Sequence, residues 1–314
     1  PSTFSLSFNK AEDLRYGENP HQAAAFYKEA GSSPSGMAAI QKLHGKELSF
    51  NNILDLYAAV DIAYGFTTPA VALIKHNNPS GVATDKDLAK AYKAAWQCDS
   101  LSAFGGIIGL NRPVDAKTAA LIQKSGFMEC VIAPAFDKGA LEILTQKKNL
   151  RLVTLDPRLF VKDRYDVKKV PGGMLLQETD LKEISFSDLK VVTKKRPTKA
   201  QIASMLFGWK VVKAVKSNAV LLTKGEKTVG IGMGLTSRVD SAILAIRKAG
   251  KLSQGACLAS DAFLPKPDTV ILAAKAGVSA IIQTGGSISD GEVIKEADKR
   301  GLVMVFTGAR HFRH

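Results

Sequence analysis

Short apolar runs alternate with segments of helical periodicity along nearly the whole chain, and that alternation confines it to an α/β layered architecture. The runs at 70–74, 105–110, 130–133, 150–154, 219–223, 229–233, 280–283 and 303–306 are too short for helices. They are apolar at nearly every position, as strands covered on both faces are. Between them, spacing predicts helices at 51–66, 88–97, 116–124, 140–147, 199–215, 238–249, 268–276 and 292–300. In the first of these, Ile53, Leu54, Leu56, Tyr57, Val60 and Ala63 share an apolar face. Gly225-Glu226 reads as a hairpin turn.

The stretch 156–169 is charged and poorly periodic, and a strand at 174–177 and a basic linker at 191–197 follow it. We therefore expect two units, 1–190 and 191–314. Both show one order of helix, strand, polar loop and helix, which points to a duplication.

Composition narrows the partners. A hydrophobic fraction of 46% with 23% charged residues describes an ordinary globular chain of 314 residues. No apolar stretch reaches the roughly 18 residues that span a bilayer, and residues 1–10 hold no signal-peptide core. The expectation is a cytoplasmic protein with no membrane partner. Cys98, Cys130 and Cys257 are far apart and form no CxxC pair, against both a disulfide framework and a cysteine zinc site. Each reads as a buried thiol. The net charge of +14 suits anionic partners. The lysines are scattered and aromatics make up only 7%, without the interleaving of a nucleic-acid groove. Small phosphorylated or carboxylated molecules fit better.

The run at 70–74 ends on Lys75-His76 and then breaks into Asn77, Asn78, Pro79, Ser80 and Gly81, read as a loop. Ligands of open α/β sheets sit beyond the carboxyl ends of strands, so a fixed cation and a proton-transfer group stand side by side where a substrate would lie. Gly230-Ile-Gly-Met-Gly234 lacks the GxGxxG spacing and the acidic residue of a dinucleotide site. A tight strand-to-loop passage leading to Ser237-Arg238 accounts for it better, with Arg238 able to reach a phosphate. Gly285-Gly-Ser-Ile-Ser-Asp290 offers bare amides and hydroxyls to an anion or a heterocycle, or is a plain turn capped by Ser289 or Asp290. Two polar clusters remain, Arg15-Tyr-Gly-Glu-Asn-Pro-His-Gln22 and Arg310-His-Phe-Arg-His314.

Taken in order with Ser102-Ala-Phe-Gly-Gly-Ile-Ile-Gly-Leu-Asn-Arg112, Lys213-Ala-Val-Lys-Ser-Asn-Ala-Val220 and Ala259-Ser-Asp-Ala-Phe-Leu-Pro-Lys-Pro-Asp268, these motifs span the chain. The set resembles the 5-aminoimidazole-4-carboxamide ribonucleotide (AICAR) formyltransferase domain of the bifunctional purine-biosynthesis proteins, here without their IMP cyclohydrolase domain. The resemblance implies two tandem cytidine-deaminase-like α/β units and a homodimer with its active sites at the subunit interface. Zinc deaminases carry H-x-E with P-C-x-x-C, and this chain has no such cysteine pair, so the implied fold is zinc-free.

The implied reaction is formyl transfer from 10-formyltetrahydrofolate to the 5-amino group of AICAR, in purine biosynthesis. That amine is conjugated and poorly nucleophilic, so a base must take its proton and a positive group must meet the oxyanion. By the family motif, His76 is the base and Lys75 the oxyanion stabiliser, or the acid to the folate nitrogen. The nucleotide contacts fall on Arg15, Tyr16, Gly105, Glu129, Asn218, Arg238 and Arg310. The folate contacts fall on Val239, Phe263, Asp268, Ser287 and Ile288. Relatives carry Phe-Phe-Pro-Phe-Arg-Asp where this chain has Phe263-Leu-Pro-Lys-Pro-Asp268. Some relatives also hold potassium near the positions of Ser217 and Asp261. A zinc-free deaminase-fold hydrolase of another nucleotide and a basic nucleic-acid-binding protein are the competing readings.

Overall fold

A computed structural model describes residues 2–314. An N-terminal hairpin, β1 (Phe8–Leu14) and β2 (Ala24–Glu29), precedes the first large sheet. That sheet is built from β3 (Gln41–His44), α1 (Phe50–Ala63), β4 (Ala70–Lys75), β5 (Asn78–Thr84), α2 (Leu88–Trp96), α3 (Ser100–Ala103), β6 (Ile107–Leu110), α4 (Ala116–Lys124), β7 (Cys130–Ala133), α5 (Lys138–Leu144) and β8 (Arg151–Thr154). A second hairpin, β9 (Tyr165–Val170) and β10 (Gly173–Glu178), separates it from the second sheet. The latter comprises β11 (Lys190–Val191), α6 (Lys199–Val212), β12 (Val220–Thr223), β13 (Thr228–Gly232), α7 (Arg238–Ala249), β14 (Cys257–Ser260), α8 (Asp268–Lys275), β15 (Ala280–Gln283), α9 (Asp290–Lys299) and β16 (Val303–Phe306).

The two sheets have six strands each and one topology. Their orders are β3-β8-β7-β6-β4-β5 and β11-β16-β15-β14-β12-β13. In each, three central strands run parallel, and the remaining pairings are antiparallel in the same places. The two halves thus correspond strand by strand, as a duplication would leave them. It extends to close contacts: Gly81 in β5 and Gly230 in β13 are glycines because a methyl group on either would overlap a carbonyl oxygen of the next helix, that of Ala95 or of Ala245.

Period-two burial sorts the strand residues into layers. Val71, Leu73, Ile108 and Val131 face α2, α4 and α5. Val220, Leu222, Leu258 and Ile281 face α7, α8 and α9. The opposite faces, with Ala72, Ile74 and Ile132 from one sheet and Leu221, Ala259 and Ile282 from the other, share a single core with α1 and α6. The order is therefore helices, sheet, two central helices, sheet, helices. Each central helix starts at a reciprocal cap, Ser49 with Asn52 and Thr198 with Gln201. The edges also meet: Val82 donates its N–H to the Thr228 hydroxyl at 2.9 Å, and Thr84 donates its N–H to the Glu226 carbonyl at 2.9 Å.

Several expectations change. Residues 78–81, read as loop, belong to β5. Pro79 and Ser80 fit a strand because the β4–β5 register shifts there and Ser80 donates its hydroxyl to the Leu73 carbonyl at 3.3 Å. The strand expected at 229–233 does form, as β13, with Gly230 and Gly232 under α7 and Gly234, at φ 65°, in the loop beyond. Val191, read as linker, pairs with Val305 in the edge strand β11. The hairpins β1–β2 and β9–β10 stand outside both sheets and expose Phe8, Tyr27 and Leu175. No helix among the described residues is long and apolar enough to cross a membrane.

The helix-on-strand contact is testable by urea denaturation. Gly232→Ala, whose methyl group would overlap the Ser241 carbonyl, should lower unfolding stability by about 1–3 kcal/mol. Gly291→Ala in α9, where a methyl group meets nothing, should raise it by about 0.5–1 kcal/mol. Equal effects would show that α7 does not pack as described.

Candidate functional site

Strand β4 is buried from Ala70 to Ile74 and emerges at Lys75. His76 and Asn77 then close a two-residue turn, with Lys75 paired to Asn78 across it. Both turn residues have positive φ, 51° and 60°. Two-residue hairpins of this hand match the twist of the strands but normally use Asn-Gly or Gly-Gly. Here the turn is held from below by a residue the motif analysis did not single out. Asp55 of α1 accepts the Asn77 N–H at 2.6 Å and the His76 N–H at 3.2 Å, one on each carboxylate oxygen. Burial pushes the Asp55 carboxyl pKa up, and the two N–H donors pull it the other way.

Lys75 Nζ donates to the Phe104 carbonyl at 2.5 Å. Gly105, at φ 68°, leaves room for it: a Cβ there would lie 3.2 Å from Lys75 Nζ. Glu129 enters from the start of β7, its N–H on the Gly106 carbonyl at 3.0 Å and its carboxylate paired with Arg151, another residue missed from sequence. Because β4 runs against β6, this end of β4 coincides with the amino ends of β6 and β7. Arg15 and Tyr16 follow β1, with the Arg15 guanidinium donating to the Tyr16 hydroxyl at 3.1 Å. Their turn is tied to α1 by Asn51 Nδ2 on the Glu18 carbonyl at 3.2 Å. Asn51 and Asp55 are four residues apart and share a helix face, so the Arg15 turn and the His76 turn lie along the same side of α1.

The second group gathers at the carboxyl ends of β14, β15 and β16. A cleft of about 350 Å³ is lined there by Asn218, Arg238, Val239, Phe263, Asp268 and Phe312, among others. Arg238 is buried, with Nη1 on Asp261 and on Ser260 Oγ, and Nη2 on Asn218 Oδ1 at 2.7 Å. Asp261 also accepts from the Ser217 hydroxyl. The exposed Arg310 lies 4.4 Å from the Phe312 ring centroid, at the rim of the cleft. Ser287 and Ile288 do not line it. They sit on the loop after the neighbouring strand β15, where Ile288 is fully exposed. In that loop Asp290 accepts the Gly286 N–H at 2.7 Å, and Ser289 makes no capping bond.

The two groups adjoin. Asn78 Oδ1, next to the His76 turn, accepts the Lys216 N–H at 3.1 Å, and the Lys216 carbonyl accepts the Gly234 N–H at 2.9 Å. Lys216 is followed by a cis Ser217–Asn218 peptide. One bridge, from the Asn78 side chain through the Lys216 backbone, thus joins Lys75-His76 to the segments that carry Asn218 and Arg238. A second cleft, of about 280 Å³ beside α6, has Lys210 and Lys213 already paired with Glu183 and Asp180. The three cysteines are buried, and burial pushes the Cys98 and Cys257 thiols up to about 11. Among the described residues no group of three or more His, Cys, Asp or Glu could hold a metal ion.

Comparison with known proteins adds lineage. The family model described as the AICARFT/IMPCHase bienzyme matches residues 1–248. The chain is 51% identical over 316 residues to the bifunctional purine biosynthesis protein PurH of Acetivibrio thermocellus. It is 50% identical to PurH of Oceanobacillus iheyensis and 49% identical to PurH of Bacillus subtilis, each over 314 residues. Each match covers 100% of this chain and 61% of the relative, so the chain spans about three fifths of the length of these proteins.

Two measurements check the geometry. Asp261→Asn leaves the buried Arg238 charge without its counter-ion, which should cost about 3–5 kcal/mol of unfolding stability. An unchanged urea midpoint would contradict the pairing. A thiol of pKa about 11 is protonated at pH 8, with roughly one molecule in a thousand as thiolate. Folded protein should therefore react with a disulfide reagent far more slowly than unfolded protein, in which all three cysteines respond.

Proposed function

We propose, since the chain belongs to the AICARFT/IMPCHase bienzyme family, that it transfers a formyl group from 10-formyltetrahydrofolate to the 5-amino group of AICAR. The observation that carries this reading is the bridge between Lys75-His76 and the Arg238 cleft. It supports one nucleotide held by residues on both sides of the bridge, with the folate held on the Arg238 side.

His76 takes a proton from the amine as its nitrogen bonds to the formyl carbon. The carbonyl oxygen gains the negative charge, and Lys75 stabilises it. The ammonium has three donors, and the Phe104 carbonyl uses one. Collapse of the tetrahedral intermediate breaks the bond to N10 of the folate, which takes a proton from Lys75. The products are the formamido nucleotide and tetrahydrofolate.

Arg15, Tyr16, Gly105, Glu129, Asn218, Arg238 and Arg310 are proposed as nucleotide contacts. The exposed Arg310 and Arg15 suit the phosphate, since a guanidinium pairs bidentately with its oxygens. Arg238, engaged by Asp261 and Asn218, instead shapes the floor of the cleft. Val239, Phe263, Asp268, Ser287 and Ile288 are proposed for the folate, with Phe263 offering an aromatic face. Ser217 and Asp261 present hydroxyl and carboxylate oxygens, the donors a potassium ion takes, and could hold one. No step of the transfer uses it.

We further propose that the chain divides into two cytidine-deaminase-like units, 1–190 and 191–314, that need no zinc. Buried, protonated cysteines and the lack of a P-C-x-x-C motif support this. A second copy of the chain is proposed to cover the protruding hairpins, whose exposed Phe8, Tyr27 and Leu175 would otherwise remain in water. The protein is proposed to work in the cytoplasm.

The test is spectrophotometric formation of tetrahydrofolate from AICAR and 10-formyltetrahydrofolate. His76→Ala should lower kcat by about 10²–10⁴ and Lys75→Ala by about 10² or more. Arg310→Ala should raise the KM for AICAR. No turnover by the unmutated protein would overturn the proposal.

A further inference from the structure

We infer that Asp55 is a positioning residue: through the two turn N–H groups, its carboxylate fixes the backbone conformation that presents His76. This deepens the proposed function and rests on the reading of His76 as the base.

The turn cannot hold itself. Residues other than glycine in the left-handed region cost on the order of 1–3 kcal/mol each, and His76 and Asn77 both lie there. Asparagine and histidine enter this region more often than most residues, yet neither does so without cost. His76 is exposed, so packing does not set its direction. Beyond the strand pairing, the bonds of the turn are its two N–H groups on Asp55 and the His76 carbonyl accepting from Asn78 Nδ2 at 3.1 Å. Bonds from N–H donors to an ionised carboxylate are roughly twice as strong as neutral ones. Asp55 is in turn immobile, because α1 is pressed between the sheets with Leu56, Ala59 and Val60 wholly buried.

The second half supplies the control. Asp55 is the sixth residue of α1, and the sixth residue of α6 is Ser204. Ser204 also reaches the end of the first hairpin strand, its hydroxyl 2.9 Å from that of Thr223. There the turn spans residues 224–227 and takes its positive φ, 61°, at Gly225. Where glycine supplies the conformation, the helix contributes only a hydroxyl to the strand. Where histidine must occupy the turn, the same helix position carries a carboxylate that grips the turn backbone. The hydrogen bonds of the carboxylate go to the turn N–H groups and none to the imidazole; its charge also acts on His76 and Lys75, so the test has to separate placement from charge.

Asp55→Asn keeps the shape but turns an NH₂ toward one of the two donors. It should lower kcat by about 10–100-fold, the scale of an ångström's misplacement, with the KM for AICAR changed less than about threefold. Hydrogen exchange at the His76 and Asn77 amides should accelerate by at least tenfold. Asp55→Ser, the residue type of the second half, should behave alike should Asp55→Asn fail to fold. Adding Asn77→Gly, which takes positive φ without strain, should restore most of kcat. Unchanged kcat and amide protection in Asp55→Asn would overturn the inference. So would a loss of kcat that Asn77→Gly does not rescue, which would indicate a charge effect on His76 or Lys75. If the unmutated protein shows no turnover, the function reading fails, and amide exchange alone still decides whether Asp55 holds the turn.

Discussion

The packing of α1 and α6 between the two sheets is the contact on which everything else depends. The apolar faces of both sheets converge on these helices, and Leu56, Val60, Met205 and Val211 are excluded from water. A side chain or backbone group anchored on either helix therefore inherits the rigidity of the whole core. Asp55 and Asn51 use this on one side, holding the His76 turn and the Arg15 turn. On the other side, α6 ends at Val212, four residues before Lys216, the residue that meets Asn78.

The halves share a topology but use different ends of it. In the first, the chemistry-bearing groups stand where β4 finishes and the parallel strands begin. In the second, they stand where the parallel strands finish and β12 begins. The unused ends are closed by ordinary structural bonding. Asn111, at the position after β6 that Asp261 occupies after β14, accepts the Ala70 N–H at 2.7 Å and donates to the Phe66 and Thr68 carbonyls. Every polar atom of its amide is engaged within the fold, whereas Asp261 pairs with an arginine that borders a cleft.

Much of this was legible in the sequence, where burial imposes a pattern. The helices at Ala116–Lys124 and Arg238–Ala249 and the strands at Cys130–Ala133, Ala280–Gln283 and Val303–Phe306 have the bounds their periodicity predicts. What was illegible has physical reasons. β5 starts with Asn, Pro and Ser, a composition that elsewhere makes loops, and is a strand because the β4–β5 register shifts to accommodate them. β1, β2 and β9 face solvent, so no apolar alternation marks them. Asp55 and Arg151 act on partners 22 residues away in sequence, and no local spacing signals such pairs. Lys75, His76 and the cleft residues stood out as residue types, but the packing of the two halves and the Asn78–Lys216 bond that make them neighbours leave no local signal.

The glycine contacts of β5 and β13, repeated almost atom for atom, carry a last consequence. They show how closely two copies of one unit can retain a shared scaffold while their functional positions diverge. Two identical subunits meeting as a symmetric pair must carry the same residue at every equivalent place. Covalent fusion lifts that constraint: aspartate at 55 and serine at 204, asparagine at 111 and aspartate at 261, coexist in one body. A pocket with different residue types on its two walls becomes accessible to a fold that repeats one topology.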